Sequence, residues 1–175
     1  MSSRVDDLSY RRASPADALQ VAELAAEGFA TYSAFAPPGW VAPAIDEEGL
    51  KFTAAVLSTP SAWCLLAEEG SRLRGHAAFL AAADSRVPSP DPGLAHLWQL
   101  FVTQPWWGSG LAARLLAAAV DAAASHGFAR MRLWTPADHG RARRFYEREG
   151  WTAPGEPVHD PLFGMATIEY VRDLG

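Results

Sequence analysis

The chain has 175 residues with a formal net charge of -5; 49% of it is hydrophobic and 20% charged. That suits one soluble domain with a buried core spanning residues 1–175, and it excludes wholesale disorder. The charge balance speaks against a broad nucleic-acid surface. The counts of 34 Ala and 14 Arg against a single lysine, Lys51, reflect genome composition more than function. The only cysteine, Cys64, lies in an apolar run and reads as an inert core thiol. Met1–Asp7 lacks an apolar signal core, and the most apolar stretch, Leu111–Val120, is too short to span a bilayer. A cytoplasmic protein with no membrane partner is the expectation.

Along the chain there is no internal repeat. Tyr10–Ala13 reads as a short strand, and Ser14-Pro15 opens a helix running to about Tyr32. Pro37-Pro38-Gly39 ends it, and a second helix is expected over Asp46–Leu57. Ala62–Glu68 and Arg74–Ala82 form a hairpin around Glu69-Gly70-Ser71. The Pro-rich stretch Ala83–Gly93 reads as an exposed loop, followed by a strand over Leu94–Thr103. Alternation along that strand places His96, Trp98 and Leu100 on one face and Leu97, Gln99 and Phe101 on the other. Trp107–Ala112 leads into a helix closed by His126-Gly127. Then come a strand over Phe128–Thr135, a helix over His139–Glu149, and two strands in Trp151–Leu174. The order describes an α/β (α+β) fold.

Gly108 and Gly110 sit where a strand turns into a helix, so unpaired amides and the helix dipole converge on an anion seat. A plain strand-to-helix turn explains the same pair. No lysine follows Gly110, so a P-loop fails. Gly108–Ala113 fits a dinucleotide fingerprint formally, but Arg130, Arg132, Trp134 and Thr135 stand where an acidic residue is needed. The five histidines show no metal-ligand spacing, so no metal is expected, and no nucleophile motif is present.

Two segments carry a resemblance. Leu100-Phe101-Val102 precedes Trp107-Gly108-Ser109-Gly110-Leu111-Ala112, which resembles the [QR]-x-x-G-x-[GA] turn of the GNAT superfamily of N-acetyltransferases, with Trp107 in place of Gln or Arg. His139–Trp151 is similar to that family's N-x-x-A-x-x-F-Y-x-x-x-G-F segment, with His139 in place of Asn. The resemblance spans roughly residues 62–172 and implies a GNAT-like fold, with a single mixed, mostly antiparallel sheet flanked by helices. It also implies transfer of an acetyl group from acetyl-CoA to a primary amine by direct attack.

On this resemblance the amides of Trp107, Gly108, Ser109, Gly110, Leu111 and Ala112 face the pyrophosphate, and those of Phe101 and Val102 face the pantetheine and thioester where the strand splays from its neighbour. Tyr146 protonates the departing thiolate, although a helix tyrosine packed in the core has the same sequence. His139 contacts the pantetheine arm or faces solvent. His96 stands where many members carry a glutamate, and it reads either as the base or as a half-buried structural residue. Asp84 is a reserve base. The arginines of Arg130–Arg148 and Arg114 offer charge to the cofactor's phosphates, or simply a solvated face. Tyr32, Phe35 and Trp40, with Asp46, Glu47, Glu48, Glu156 and Asp160, suit a cationic acceptor, a small molecule more than a protein. A homodimer is compatible with all of this. A non-catalytic acyl-CoA-binding module is the rival from another class; it would keep the glycine turn and not need Tyr146.

Overall fold

The computed structural model describes residues 4–175; Met1–Ser3, part of the segment read above as lacking a signal core, lies outside the described residues. Seven strands form one sheet in the order β1-β2-β3-β4-β5-β7-β6. They are β1 (Ser9–Arg12), β2 (Trp63–Glu69), β3 (Arg72–Ala81), β4 (Leu94–Val102), β5 (Arg130–Pro136), β6 (Val158–Asp160) and β7 (Met165–Asp173). Only β4 and β5 run parallel. The helices are α1 (Ala18–Ala30), α2 (Glu47–Ser58), α3 (Leu111–Ser125) and α4 (Gly140–Arg148). The expected first helix is thus split: a 3-10 turn over Pro15–Asp17 precedes α1, and a second over Thr31–Ala34 follows it.

One face of the sheet is covered by α3 and α4. The helical spacing of Leu111, Leu115, Leu116, Ala119 and Ala123 turns these side chains onto Ala77, Phe79, Leu97 and Met131, all of them buried. Each such leucine contributes about 1.5–3 kcal/mol of burial free energy. The other face carries α1 and α2, where Val21 packs on Cys64, Leu66, Ala78 and Trp98. Cys64 is a core thiol, and burial pushes its pKa up to about 12.

Simple alternation along β4 does not hold. Ala78 pairs with Gln99 and the next residue, Phe79, pairs with Leu97, so Trp98 is an extra residue on β4, a bulge. Downstream of it every side chain changes face. Leu100 and Val102 therefore join Leu97 on the α3 side, whereas Gln99 and Phe101 join His96 and Trp98 in looking toward α1 and α2. The Pro-rich loop is mostly exposed, as expected, but it is anchored at one point. Ser85 is buried, and its Oγ accepts from the Arg132 guanidinium, which also donates to the Val87 carbonyl, stapling the loop to β5.

Helix α1 passes very close to β4. A Cβ built on Gly28 would lie 2.1 Å from Cδ1 of Phe101, well inside van der Waals contact. Gly28→Ala is therefore expected to cost about 1–3 kcal/mol, read as a fall in Tm, with Phe101→Leu recovering part of it. An unchanged Tm would show that the approach is not tight.

Candidate active site

The parallel pairing of β4 with β5 covers only Leu94–His96 against Arg130–Arg132. Beyond it β4 continues to Val102 and β5 to Pro136, each paired only on its outer side. The strands part, and the edges facing the gap keep unpaired backbone groups. The ladder phase identifies them. Thr103 N–H donates to the Arg74 carbonyl at 2.8 Å, so Arg74 and Thr103 form a hydrogen-bonded antiparallel pair. Counting back, His76 and Phe101 are another such pair, and the N–H groups of Val102 and Leu100 point away from β3 into the gap. The open amides are therefore those of Leu100 and Val102; the Phe101 amide belongs to the ladder with β3. Phe101 borders the cavity with its ring, in edge contact with Phe29 at 5.0 Å.

The gap opens into a cavity of about 1160 Å³ that runs from the glycine turn to the β6–β7 turn. At one end Gly108 and Gly110 take φ of +76° and +90°, a backbone state that disfavours side chains, and Gly110 starts α3. The turn alternates. Trp107, Gly108, Gly110 and Ala112, with Ala113, border the cavity, whereas Ser109 and Leu111 do not. Three of the six expected amides are already occupied. Trp107 N–H donates to the Gln104 carbonyl, Ser109 N–H to the Trp106 carbonyl, and Leu111 N–H to Ser109 Oγ. Gly108, Gly110 and Ala112 supply the amides that remain open toward an anion at the helix N-terminus.

Trp107 stands where the family pattern has Gln or Arg, and its contacts give that substitution a physical content. Its indole Nε1–H donates to the Val102 carbonyl at 2.8 Å, capping a group left open by the strand separation. The Arg141 guanidinium of α4 lies 3.8 Å over its ring centroid. A cation thus stands at the turn, delivered from another helix. Arg144 and Arg148 also border the cavity. The remaining arginines are used elsewhere: Arg130 pairs with Asp91, Arg143 bonds Tyr170, and Arg114 pairs with Asp6 and stacks on Tyr10, away from the cavity.

Tyr146 lies between these parts. Its ring packs against Phe145, Trp151 and Tyr170, and it borders the cavity together with His139 and Ala142, which share its helix face at i, i+3 and i+7. Burial, then the neighbouring Tyr32, push its pKa up; no hydrogen bond contributes. The phenol stays protonated throughout the ordinary pH range. His139 stacks on Phe35 at 4.7 Å and meets Tyr32 at 5.2 Å, and burial with nearby Arg141 lowers its pKa to about 4. Tyr32 and Trp40 meet Phe163 of the β6–β7 turn, and Trp40 Nε1–H donates to the Phe163 carbonyl.

His96 faces the cavity beside Trp134 at 5.4 Å. Its Nδ1 is buried without a partner, and burial, then Arg132 and Arg86, lower its pKa to about 3. Among the described residues, the charged groups acting on this ring are the guanidiniums of Arg132 and Arg86, and both oppose its protonation. Asp84 borders the cavity and accepts from Ser61 Oγ at 2.5 Å. Of the acidic residues proposed for the acceptor, only Asp160 reaches the cavity; Asp46 caps α2, and Glu47 and Glu48 pair with Lys51 on its surface. His76 carries no sequence signal beyond its place among the histidines. It is fully buried, its Nε2 is 2.8 Å from Gln99 Oε1, and burial lowers its pKa to about 4. Among the described residues no group of three or more His, Cys, Asp or Glu is placed to hold a metal, and no helix is long and apolar enough to cross a membrane.

The acetyltransferase (GNAT) family pattern matches residues 26–151, which take in the parted strands, the glycine turn and Tyr146. The chain belongs to the acetyltransferase (GNAT) family. No curated protein sequence matches it. Among solved structures it is similar to yncA of Salmonella typhimurium, solved with its cofactor acetyl-CoA, with a TM-score of 0.71 and 19% identity over 96% of this chain and 94% of that one. It also resembles an N-acetyltransferase of Staphylococcus aureus Mu50, with a TM-score of 0.72 and 13% identity over 96% and 99% of the two chains. The ribosomal-protein-S18-alanine N-acetyltransferase of Escherichia coli gives a TM-score of 0.66 and 16% identity over 95% and 94%. At these identities the likeness concerns the fold: a seven-stranded mixed sheet flanked by four helices is the GNAT architecture.

The buried histidines of this family member set an acid limit. His76 titrates near 4 when folded against an ordinary 6.5, so between these values the unfolded chain binds the proton first. The His76 contribution to stability is therefore expected to fall as pH drops from about 6.5 to about 4 and to level off below, with a slope of up to about 1.4 kcal/mol per pH unit. Urea unfolding across this range checks it, and His76→Gln should flatten the slope.

Proposed function

We propose that the protein moves the acetyl group of acetyl-CoA to the nitrogen of a primary amine by direct attack while both are bound. The observation that carries this reading is the meeting of three features in one cavity: the open amides of Leu100 and Val102, the anion-ready turn at Gly108–Ala112, and the protonated hydroxyl of Tyr146.

Acetyl-CoA fits the residues present. The gap edge of β4 offers N–H donors to an amide-bearing arm, and the turn with Arg141 offers N–H groups and a cation to a pyrophosphate. Bound there, the cosubstrate supplies an acetyl group activated as a thioester. The Leu100 and Val102 amides would hold the arm and polarise the acetyl oxygen, where negative charge grows during attack. Tyr146 holds its proton on Oη and passes it to the departing sulfur, and water in the cavity, which takes up the proton lost by the amine, returns one to the phenolate. The amine must arrive uncharged, because an ammonium has no lone pair. Neutral His96 accepts a hydrogen bond from the amine N–H, and with its depressed pKa it hands the proton on to water in the open cavity.

Three measurements test this. An acetyl-CoA turnover screen over an amine library, read by thiol release and product mass, should find at least one acetylated amine; tight acetyl-CoA binding with no turnover would mark an acyl-CoA-binding module. Tyr146→Phe should lower kcat by about 100-fold with little change in acetyl-CoA binding, whereas Arg141→Ala should raise the KM for acetyl-CoA by about tenfold and leave kcat near its starting value. The kcat/KM profile should rise with pH toward the pKa of the amine itself. An inflection between pH 5.5 and 7.5 that disappears in His96→Gln would instead make His96 the base.

A further inference from the structure

The part of the cavity away from the glycine turn is walled by Phe29, Phe52, Leu80, Trp98, Trp134 and Phe163. Phe52 meets Trp98 edge-on at 6.2 Å, and Trp134 closes on His96 where β4 and β5 begin to part. The rim continues this character outward: Ile45, Phe52 and Leu162 border the cavity and are 41%, 51% and 73% exposed. Large apolar side chains left in water around a cavity mouth favour a ligand that covers them, at about 25 cal/mol per Å².

Little negative charge is left unmatched at this end. Asp160 pairs with Arg86 at 2.5 Å, a link from the Pro-rich loop to the β6–β7 turn, and its carboxylate also accepts from the amides of Leu162 and Phe163. Asp84 takes the Ser61 hydroxyl. Arg132 lies over Trp134, and with Arg86 it faces His96, which adds positive potential where the amine must sit. Among the described residues bordering the cavity, a polycation would meet one carboxylate without a cationic partner, Asp84, and to engage a second it would have to displace Arg86 from Asp160. A single amino group has one charge to lose, as a proton, and its carbon body then gains the aromatic walls.

We propose that the acceptor is a monoamine carried on an aromatic or branched apolar body, and that this cavity selects against polyamines and lysine-rich peptides. The position of the amino group rests on the acetyl-transfer reading; the apolar selectivity is a binding property that stands apart from turnover. Calorimetric titration of the full chain with coenzyme A present tests it, with tryptamine, 2-phenylethylamine and spermidine as probes. Both aromatic amines should bind at least about tenfold more tightly than spermidine. Phe52→Ala, at a half-exposed position that a shorter side chain can fill without unfolding, should weaken tryptamine about fivefold and leave spermidine unaffected. Spermidine binding as tightly as the aromatic amines, no measurable binding of either aromatic amine, or a Phe52→Ala variant indifferent to tryptamine would each overturn the inference. Tryptamine binding with no acetylated product from any amine would sink the acetyl-transfer reading and leave this one standing, whereas efficient acetylation of spermidine in preference to both aromatic amines would do the reverse.

Discussion

A parallel pair of strands that stops pairing in the middle of a sheet leaves backbone donors and acceptors that must find partners elsewhere. Here β4 and β5 share only Leu94–His96 and Arg130–Arg132, and the rest of the site is organised by that separation. On the donor side it exposes the amides of Leu100 and Val102. On the acceptor side, the Val102 carbonyl is taken by the Trp107 indole, which in turn carries the Arg141 guanidinium. A tryptophan at a turn position that usually holds Gln or Arg thereby places a positive charge at the turn by way of α4. The gap is stabilised by the same groups that prepare it for an anionic, amide-bearing ligand.

The two faces of the sheet divide the remaining work. On one side α3 and α4 fill a dense core, from Leu115 and Leu116 to Trp151 and Tyr170, and Tyr146 has its ring in that core while its edge borders the cavity. The phenol is held by packing, which fixes its position without a hydrogen bond that would compete for its proton. On the other side α1 and α2 leave room. Gly28 brings α1 against Phe101, the aromatic group of Phe29, Tyr32, Phe35 and Phe163 ties the end of α1 to the β6–β7 turn, and the space between becomes the cavity. Burial keeps His76, His96 and His139 neutral at ordinary pH, so the two that border the cavity, His96 and His139, face it as uncharged imidazoles beside fixed guanidinium groups.

Much of the fold was legible from local signals. Helical spacing in α3, the hairpin glycine Gly70 and the stop at Gly150 located most elements within a few residues, because each is governed by near neighbours along the chain. A residue's place beside the cavity was legible where a motif fixes its position on one element, as with Gly108, Gly110 and Tyr146. It was illegible where geometry depends on a partner strand. The bulge at Trp98 carries no sequence mark, yet it moved Gln99 and Phe101 to the side of His96 and Leu100 to the other. The phase of the β3–β4 ladder then made Leu100, and not Phe101, the companion of Val102. Ser109 and Leu111 lie within the glycine turn, but their amides are spent inside it.

The sequence by itself determined that the chain forms an α/β domain with a glycine turn opening a helix and a tyrosine helix downstream, since periodicity, turn residues and spacing are properties of the chain. Tertiary structure alone decided which backbone groups are free, where the arginines go and how charged the cavity is. Arg114 and Arg130 looked equivalent to Arg141, but the first two met Asp6 and Asp91 whereas Arg141 met an indole. The physical reason is that hydrogen-bond satisfaction, burial and electrostatic pairing are contests between groups distant in the chain, and only the folded arrangement settles which partner each one reaches.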